Sequence, residues 1–173
     1  MLRRAVGSAY IEGDGRTPAA DAEGIAMTEM NRTATVVWTG NLAQGTGQVS
    51  VGSGVLHETP VSWPARVEAP GGKTSPEELI AAAHASCYAM ALSHTLTEAG
   101  HPPTRLDVTA EVSATLDNSG LRITASALRV RGIVRGIDDA QFKEFAAKGE
   151  QACPVSGALR GSLTITVDAA LAG

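Results

Sequence analysis

Two cysteines are the residues of this 173-residue chain whose type and placement most clearly suggest chemistry. Cys87 lies in an alanine-rich stretch, EELIAAAHASCYAMALSHTL, and Cys153 comes directly before Pro154 in QACPVSGALRG. A thiol reacts as its thiolate, and burial, nearby cations and helix N-termini control the pKa of that form. Cys153 is a candidate N-cap of a short helical turn, whose dipole favours the thiolate. The pair therefore fits a peroxidatic and a resolving cysteine, with two inert buried thiols as the alternative.

Cys87 is predicted to lie beyond the first turn of a helix, where the helix dipole is weak, so another group is needed to stabilise its thiolate. Arg66 and Glu77 are the candidates, because they flank the segment that leads into this helix. An arginine–carboxylate fork between them could aim the guanidinium at the sulfur. Each residue could instead be an ordinary charge at a strand end or in the first turn of a helix.

A metal site is an alternative use of the same helix, since His84, Cys87 and His94 fall on one face of it. His94 would lie about 10.5 Å along the axis from Cys87, which is too far for one ion. His84, Cys87 and Cys153 could still chelate one, but we predict no metal and interpret His84 as a hydrogen-bonded interior histidine. The chain has no glycine-rich phosphate motif and no Ser-His-Asp arrangement, so we expect neither nucleotide nor acyl-transfer chemistry. We predict no cofactor.

Composition and charge limit the class of protein. Apolar residues make up 43% of the chain and aromatic residues only 3%, which predicts one core built from Ala, Val, Leu and Ile. The net charge is −4, and no basic run follows residues 2–4, so we expect neither a nucleic-acid nor a membrane partner. No apolar run approaches the roughly 18 residues of a membrane span, and residues 1–15 do not resemble a secretory signal. We therefore expect a cytoplasmic protein, in which a disulfide would be transient.

The strand signals begin only after an N-terminal stretch that has no regular period. Residues 1–29 are predicted to be a flexible extension, and residues 30–173 a single domain. Alternating runs predict hairpins over 34–51 and 106–130, and a third strand over 61–68 with Pro64 at an edge or a bulge.

The helix signals are strongest at Ser75-Pro76-Glu77-Glu78, which predicts an N-cap with a capping box and a long helix that ends at Gly100. Its apolar character on almost every side predicts a central, buried helix, and a second subunit covering part of it. A second helix is predicted over 138–148 with Gly149 as its stop, then a helical turn from Cys153 and a strand over 162–167. The order β-β-β-α-β-β-α-α-β predicts an α+β fold.

The stretches SPEELIAAAHASCYAMAL and CPVSGALRG, with cysteines 66 positions apart, closely resemble the OsmC/Ohr family of bacterial peroxide-resistance proteins. The AAHASC and CPVS segments resemble the OsmC branch, and the resemblance covers about residues 33–167. It implies an OsmC-like fold, with antiparallel sheets around a long buried helix, in an intertwined homodimer whose active sites lie at the subunit interface. It also implies a thiol-dependent peroxidase that prefers organic hydroperoxides.

The resemblance assigns roles to four residues by position. Cys87 matches the peroxidatic cysteine and Cys153 the resolving cysteine, while Arg66, in PARVE, matches the arginine that activates the thiolate and Glu77 the glutamate that orients it. Cys87 would form a sulfenic acid and then a disulfide with Cys153, which an external dithiol, such as the dihydrolipoyl group of a protein partner, would reduce. The alternative function is a non-enzymatic redox switch or a lipid-like ligand-binding module that uses the same cysteine pair.

Overall fold

The computed structural model describes residues 28–172. Its elements in chain order are β1 Ala34–Thr39, β2 Thr46–Val51, β3 Thr59–Val61, α1 Trp63–Val67, α2 Pro76–Glu98, β4 Pro103–Asp117, β5 Gly120–Val134, α3 Asp139–Ala152, α4 Pro154–Leu159 and β6 Thr164–Leu171. The predicted α+β class is confirmed. The predicted extension over residues 1–29 lies almost entirely outside the described residues, so its flexibility and its boundary with the domain stay predictions.

The first sheet has the strand order β1-β2-β3 with antiparallel neighbours, which confirms the first predicted hairpin. The predicted third strand over 61–68 is wrong, because the strand ends at Val61 and the next residues form helix α1. Ser62 is the N-cap of α1, its side chain accepting a hydrogen bond from the backbone N–H of Ala65. Pro64 lies in the first turn, where its missing N–H costs nothing. Arg66 therefore lies in the last turn of a helix.

Helix α2 begins where its capping signal predicts, with the Ser75 hydroxyl accepting a hydrogen bond from the N–H of Glu78. The reciprocal half of the predicted capping box is not formed, because the Glu78 carboxylate accepts from the Thr74 hydroxyl at 2.7 Å instead. Gly100, at φ 81°, follows the C-terminal end as predicted.

One stripe of α2 is fully enclosed by the chain itself, formed by His84, Tyr88, Leu92 and Leu96. The other faces are partly or fully exposed, and Met90 is 66% exposed. The exposed faces of this apolar helix could be covered by a second subunit, and that subunit stays a prediction.

The second sheet has the strand order β4-β5-β6. The predicted hairpin over 106–130 is confirmed and is longer than predicted, and β6 pairs in parallel with β5. Because parallel neighbours need a crossover connection, the chain leaves β5, forms α3 and α4, and returns as β6. The core lies between this sheet, α2 and α3, and its largest fully buried side chains include Tyr88, Leu92, Leu128 and Phe142.

Helix α3 begins with the predicted capping box, in which the side chains and backbone N–H groups of Asp138 and Gln141 exchange hydrogen bonds of 2.8 and 3.0 Å. The prediction that Gly149 stops this helix is wrong, since α3 continues to Ala152. A Cβ atom at Gly149 would lie only 3.0 Å from the Cα of Leu92, so the glycine permits close packing of α3 on α2. Within residues 28–172, the helices are too short or too polar to span a membrane.

Candidate active site

The two cysteines come together where the N-terminus of α4 packs against α2. Cys87 is partly buried on α2, and Cys153 is 1% exposed at the N-cap of α4. Both are free thiols, and Cys153 is close enough to Cys87 to raise its pKa. Residues far apart in the chain thus place two sulfur atoms side by side.

The first turn of α4 supplies a backbone amide to each sulfur. The N–H of Val155 donates to Cys87, and the N–H of Ser156 donates to Cys153 Sγ over 3.5 Å. The first N–H groups of a helix have no partner inside it, and here two of them find sulfur acceptors. The predicted N-cap role of Cys153 is confirmed, whereas the amide donated to Cys87 has no side-chain signature and was not predicted.

Three influences set the pKa of Cys87 within one chain. Burial raises it, the hydrogen bond from Val155 lowers it, and the neighbouring Cys153 raises it again, so that the pKa lies above the usual thiol value. This is opposite to the predicted shift. Among residues 28–172, no cation is one of the groups that act on the pKa of Cys87, so nothing in this part of the chain brings that pKa down to neutral pH.

Arg66 and Glu77 form the fork that their positions predicted. The Arg66 Nε lies 2.9 and 3.0 Å from the two carboxylate oxygens of Glu77, and Nη2 lies 2.7 Å from Oε1. The side chains are 29% and 12% exposed, respectively. Burial alone would raise the pKa of Glu77, but the hydrogen bonds and charge of Arg66, with the other hydrogen bonds the carboxylate accepts, outweigh it and lower the pKa.

The fork and the thiol pair lie at different positions along α2, which contributes one residue to each of them. Glu77 is in the first turn of α2, and Cys87 follows ten residues later. At 1.5 Å per residue, this separates them by about 15 Å along the axis. A charge stabilises a thiolate over about 4–6 Å, so within one chain the fork does not act on Cys87.

An apolar pocket of about 280 Å³ adjoins the fork. Arg66 is its charged lining residue, and it is otherwise lined by Val36, Trp38, Leu42, Val49, Val61, Ser62, Trp63, Pro76 and Leu79. Such a pocket gives favourable burial to an alkyl or aryl group next to a guanidinium. Cys87 is not among the residues that line this pocket, which lies at the fork.

His84 is the interior histidine that the sequence predicted. It is fully buried, and its ring nitrogens lie 2.8 Å from the hydroxyl of Ser126 and 2.9 Å from that of Ser156. Burial lowers the pKa of His84, opposed by the charge of Glu150. Both nitrogens are engaged by hydroxyls, and among residues 28–172 no group of three or more His, Cys, Asp and Glu converges on one point.

The chain is similar to known proteins both in sequence and in structure. The family model described as OsmC-like protein matches residues 69–168. The chain is 44% identical over 128 residues to the peroxiredoxin OsmC of Escherichia coli, covering 74% of this chain and 89% of that protein. It is 29% identical over 127 residues to the organic hydroperoxide resistance protein of Xanthomonas axonopodis, covering 68% of this chain and 82% of that protein.

Solved structures show the same fold. The organic hydroperoxide resistance protein OhrB of Bacillus subtilis superposes with a TM-score of 0.63 at 28% identity, covering 79% of this chain and 97% of that one. An organic hydroperoxide resistance protein OsmC from Legionella pneumophila, at 24% identity, superposes with a TM-score of 0.66 and covers 82% of this chain and 99% of that chain.

Proposed function

Because the chain belongs to the OsmC-like protein family, we propose that it is a thiol-dependent peroxidase that reduces organic hydroperoxides to alcohols in oxidative-stress defence. The names of its relatives, a peroxiredoxin and an organic hydroperoxide resistance protein, support this activity. The observation that carries the proposal is the proximity of the Cys87 and Cys153 thiols, where the N-cap of α4 meets α2. Two thiols in contact can turn the oxidation of one cysteine into a reversible cycle.

The cycle has three steps. The Cys87 thiolate attacks the outer oxygen of the hydroperoxide, the O–O bond breaks, and the alkoxide takes a proton to leave as the alcohol, which leaves Cys87 as a sulfenic acid. The Cys153 sulfur then attacks the Cys87 sulfur, forming the S–S bond and expelling the hydroxyl, which leaves with the Cys153 proton as water. An external dithiol reduces this disulfide and is itself oxidised to a disulfide.

The reductant and the location of the protein follow from the same chemistry. The dihydrolipoyl group of a protein partner has the two thiols needed to open the disulfide. We propose a cytoplasmic location, because a reducing compartment keeps both cysteines in the thiol form from which the cycle starts.

A homodimer would complete the site. One chain separates its fork from its own Cys87 by about 15 Å, and no cation within residues 28–172 lowers the pKa of Cys87. If the Arg66–Glu77 fork of a second copy faced Cys87, the guanidinium would stabilise the thiolate and Glu77 would hold it in place. The exposed apolar faces of α2 are consistent with such a partner.

The pocket at the fork supports a preference for organic hydroperoxides. In the proposed dimer, this pocket of about 280 Å³ opens next to the partner's thiol, and burial of an alkyl or aryl group there stabilises the complex in proportion to the apolar area covered. Hydrogen peroxide has no group to fill it.

Cumene hydroperoxide consumption by the purified protein with excess dithiothreitol tests the proposal. Cys87→Ser is expected to abolish consumption, whereas Cys153→Ser still completes a single turnover per subunit in the absence of an external thiol. Undiminished consumption by Cys87→Ser would contradict the assignment. A wild-type protein that forms the Cys87–Cys153 disulfide but does not turn over with dithiothreitol would support a redox switch instead.

A further inference from the structure

A second contact between α2 and α4 accompanies the contact between the thiols. His84 precedes Cys87 by three residues on α2, and Ser156 follows Cys153 by three residues at the start of α4. Residues three apart on a helix lie on the same face. The two elements therefore meet at two matched positions, where Cys87 lies near Cys153 and His84 is hydrogen-bonded to Ser156.

The histidine contact is fully buried, and both ring nitrogens of His84 are hydrogen-bonded. His84, Ser126 and Ser156 are all 0% exposed, and the ring nitrogens are satisfied by one hydroxyl from β5 and one from α4. A buried polar group that loses its partner costs about 1–3 kcal/mol, so α4 cannot move away from α2 without penalty. At its other end, Arg160 is held to the nearly buried Glu150 of α3 at 2.7 Å.

Ser156 connects this contact directly to the sulfur of Cys153. Its hydroxyl is hydrogen-bonded to His84 Nε2, and its own backbone N–H donates to Cys153 Sγ. A displacement of Ser156 therefore moves both the hydrogen bond and the sulfur that it supports.

We propose that His84 is a positioning residue for disulfide closure, which holds the Cys153 sulfur in line with Cys87 through Ser156. This role rests on the peroxidase cycle proposed above, in the step where Cys153 attacks the Cys87 sulfenic acid and water leaves. A disulfide forms only over a narrow range of sulfur and Cα positions, and a misplacement of about 1 Å can slow a reaction by about 100-fold. Both ring nitrogens of His84 are hydrogen-bonded to serine hydroxyls rather than to a sulfur, so its replacement should leave the attack of Cys87 on peroxide unchanged.

Ser156→Ala and Ser126→Ala form a matched pair for the test. Each removes one buried hydroxyl and one hydrogen bond to the same ring, but only Ser156→Ala breaks the link to α4. Reduced protein is mixed with cumene hydroperoxide and quenched over time, and the Cys87 sulfenic acid, trapped by dimedone, and the disulfide are measured by mass spectrometry. The attack rate depends on peroxide concentration and the closure rate does not, which separates the two steps.

Ser156→Ala is expected to slow closure about tenfold or more and to accumulate sulfenic acid, with the attack rate constant within about twofold of wild type. Ser126→Ala is expected to close at the wild-type rate. Wild-type closure in Ser156→Ala, or equal slowing in both variants, would overturn the role of His84. His84→Gln, expected to slow closure in the same way, replaces Ser156→Ala if that variant does not fold. A wild-type protein that forms neither sulfenic acid nor disulfide would instead refute the peroxidase, and this inference with it.

Discussion

The separation of the Arg66–Glu77 fork from the thiols predicts that two different defective subunits restore each other's activity. Cys87→Ser removes the attacking sulfur, and Arg66→Ala removes the proposed activating charge. A guanidinium within about 4–6 Å favours a thiolate, and each 1.4 kcal/mol of lost stabilisation lowers its population about tenfold. Homodimers of Arg66→Ala should therefore retain at most about a tenth of wild-type activity, and those of Cys87→Ser none.

In a heterodimer of Cys87→Ser and Arg66→Ala subunits, the two active sites combine different residues. If the fork acts across the interface, one site combines the intact Cys87 of one subunit with the intact Arg66 of the other, and the second site lacks both. One working site in two gives about half of the wild-type activity per dimer. If the fork acted within its own chain, across about 15 Å of helix, every site would carry a defect.

The assay uses subunits with two different affinity tags, co-expressed and purified in tandem so that only heterodimers are measured. Consumption of cumene hydroperoxide is followed with excess dithiothreitol. A heterodimer of Cys87→Ser with Arg122→Ala is the control, since Arg122 is exposed and pairs with Asp117 far along the chain from both cysteines; it should also give about half activity. If the Cys87→Ser and Arg66→Ala heterodimer is no more active than the Arg66→Ala homodimer, the assignment of the fork to the partner is refuted.

Burial of His84 makes the free energy of unfolding depend on pH. The pKa of His84 is lowered in the native state, which therefore binds fewer protons than the unfolded chain, whose histidine has a pKa of about 6.5. The stabilisation by neutral, buried His84 is complete above that pH and is lost as the pH falls below it. The urea midpoint of unfolding should therefore fall more steeply from pH 7 to pH 5 in wild type than in His84→Gln. Equal slopes in the two proteins would contradict this prediction. Gly149→Ala should lower the free energy of unfolding by about 1–3 kcal/mol, since its Cβ would lie 3.0 Å from Leu92 Cα. In the control Gly157→Ala, where a Cβ meets no atom within 4 Å, the gain in helix propensity should raise stability by about 0.5–1 kcal/mol, and a loss equal to that of Gly149→Ala would show that packing is not the cause.

Elements with a local start or stop signal could be predicted from the sequence. Ser75 and Asp138 cap their helices by hydrogen bonds within three residues, and Gly100 ends α2 with a backbone conformation that glycine readily adopts. Residues with two structural uses could not be predicted in this way. Pro64 suits an edge strand as well as the first turn of a helix, and Gly149 suits a helix stop as well as close packing. Only tertiary contacts decide between those uses.

The candidate site could be predicted in its members but not in its layout. Residue type and family resemblance identified Cys87, Cys153, Arg66 and Glu77, and the structure joins them as two separate pairs. The distance between the pairs follows from the positions of Glu77 and Cys87, ten residues apart on α2. The backbone donor at Val155 carries no residue-type signal at all.

The parallel pairing of β6 with β5 has a consequence for how the protein matures. Cys153 lies on the crossover between these two strands, so the pairing of Thr164–Leu171 with Ala125–Gly132 closes the segment that carries it. Pairings of this kind close a long stretch of chain and form slowly. We therefore expect Cys87 to be without its neighbour for a time during folding, when an oxidant would convert it to products that no second thiol can rescue.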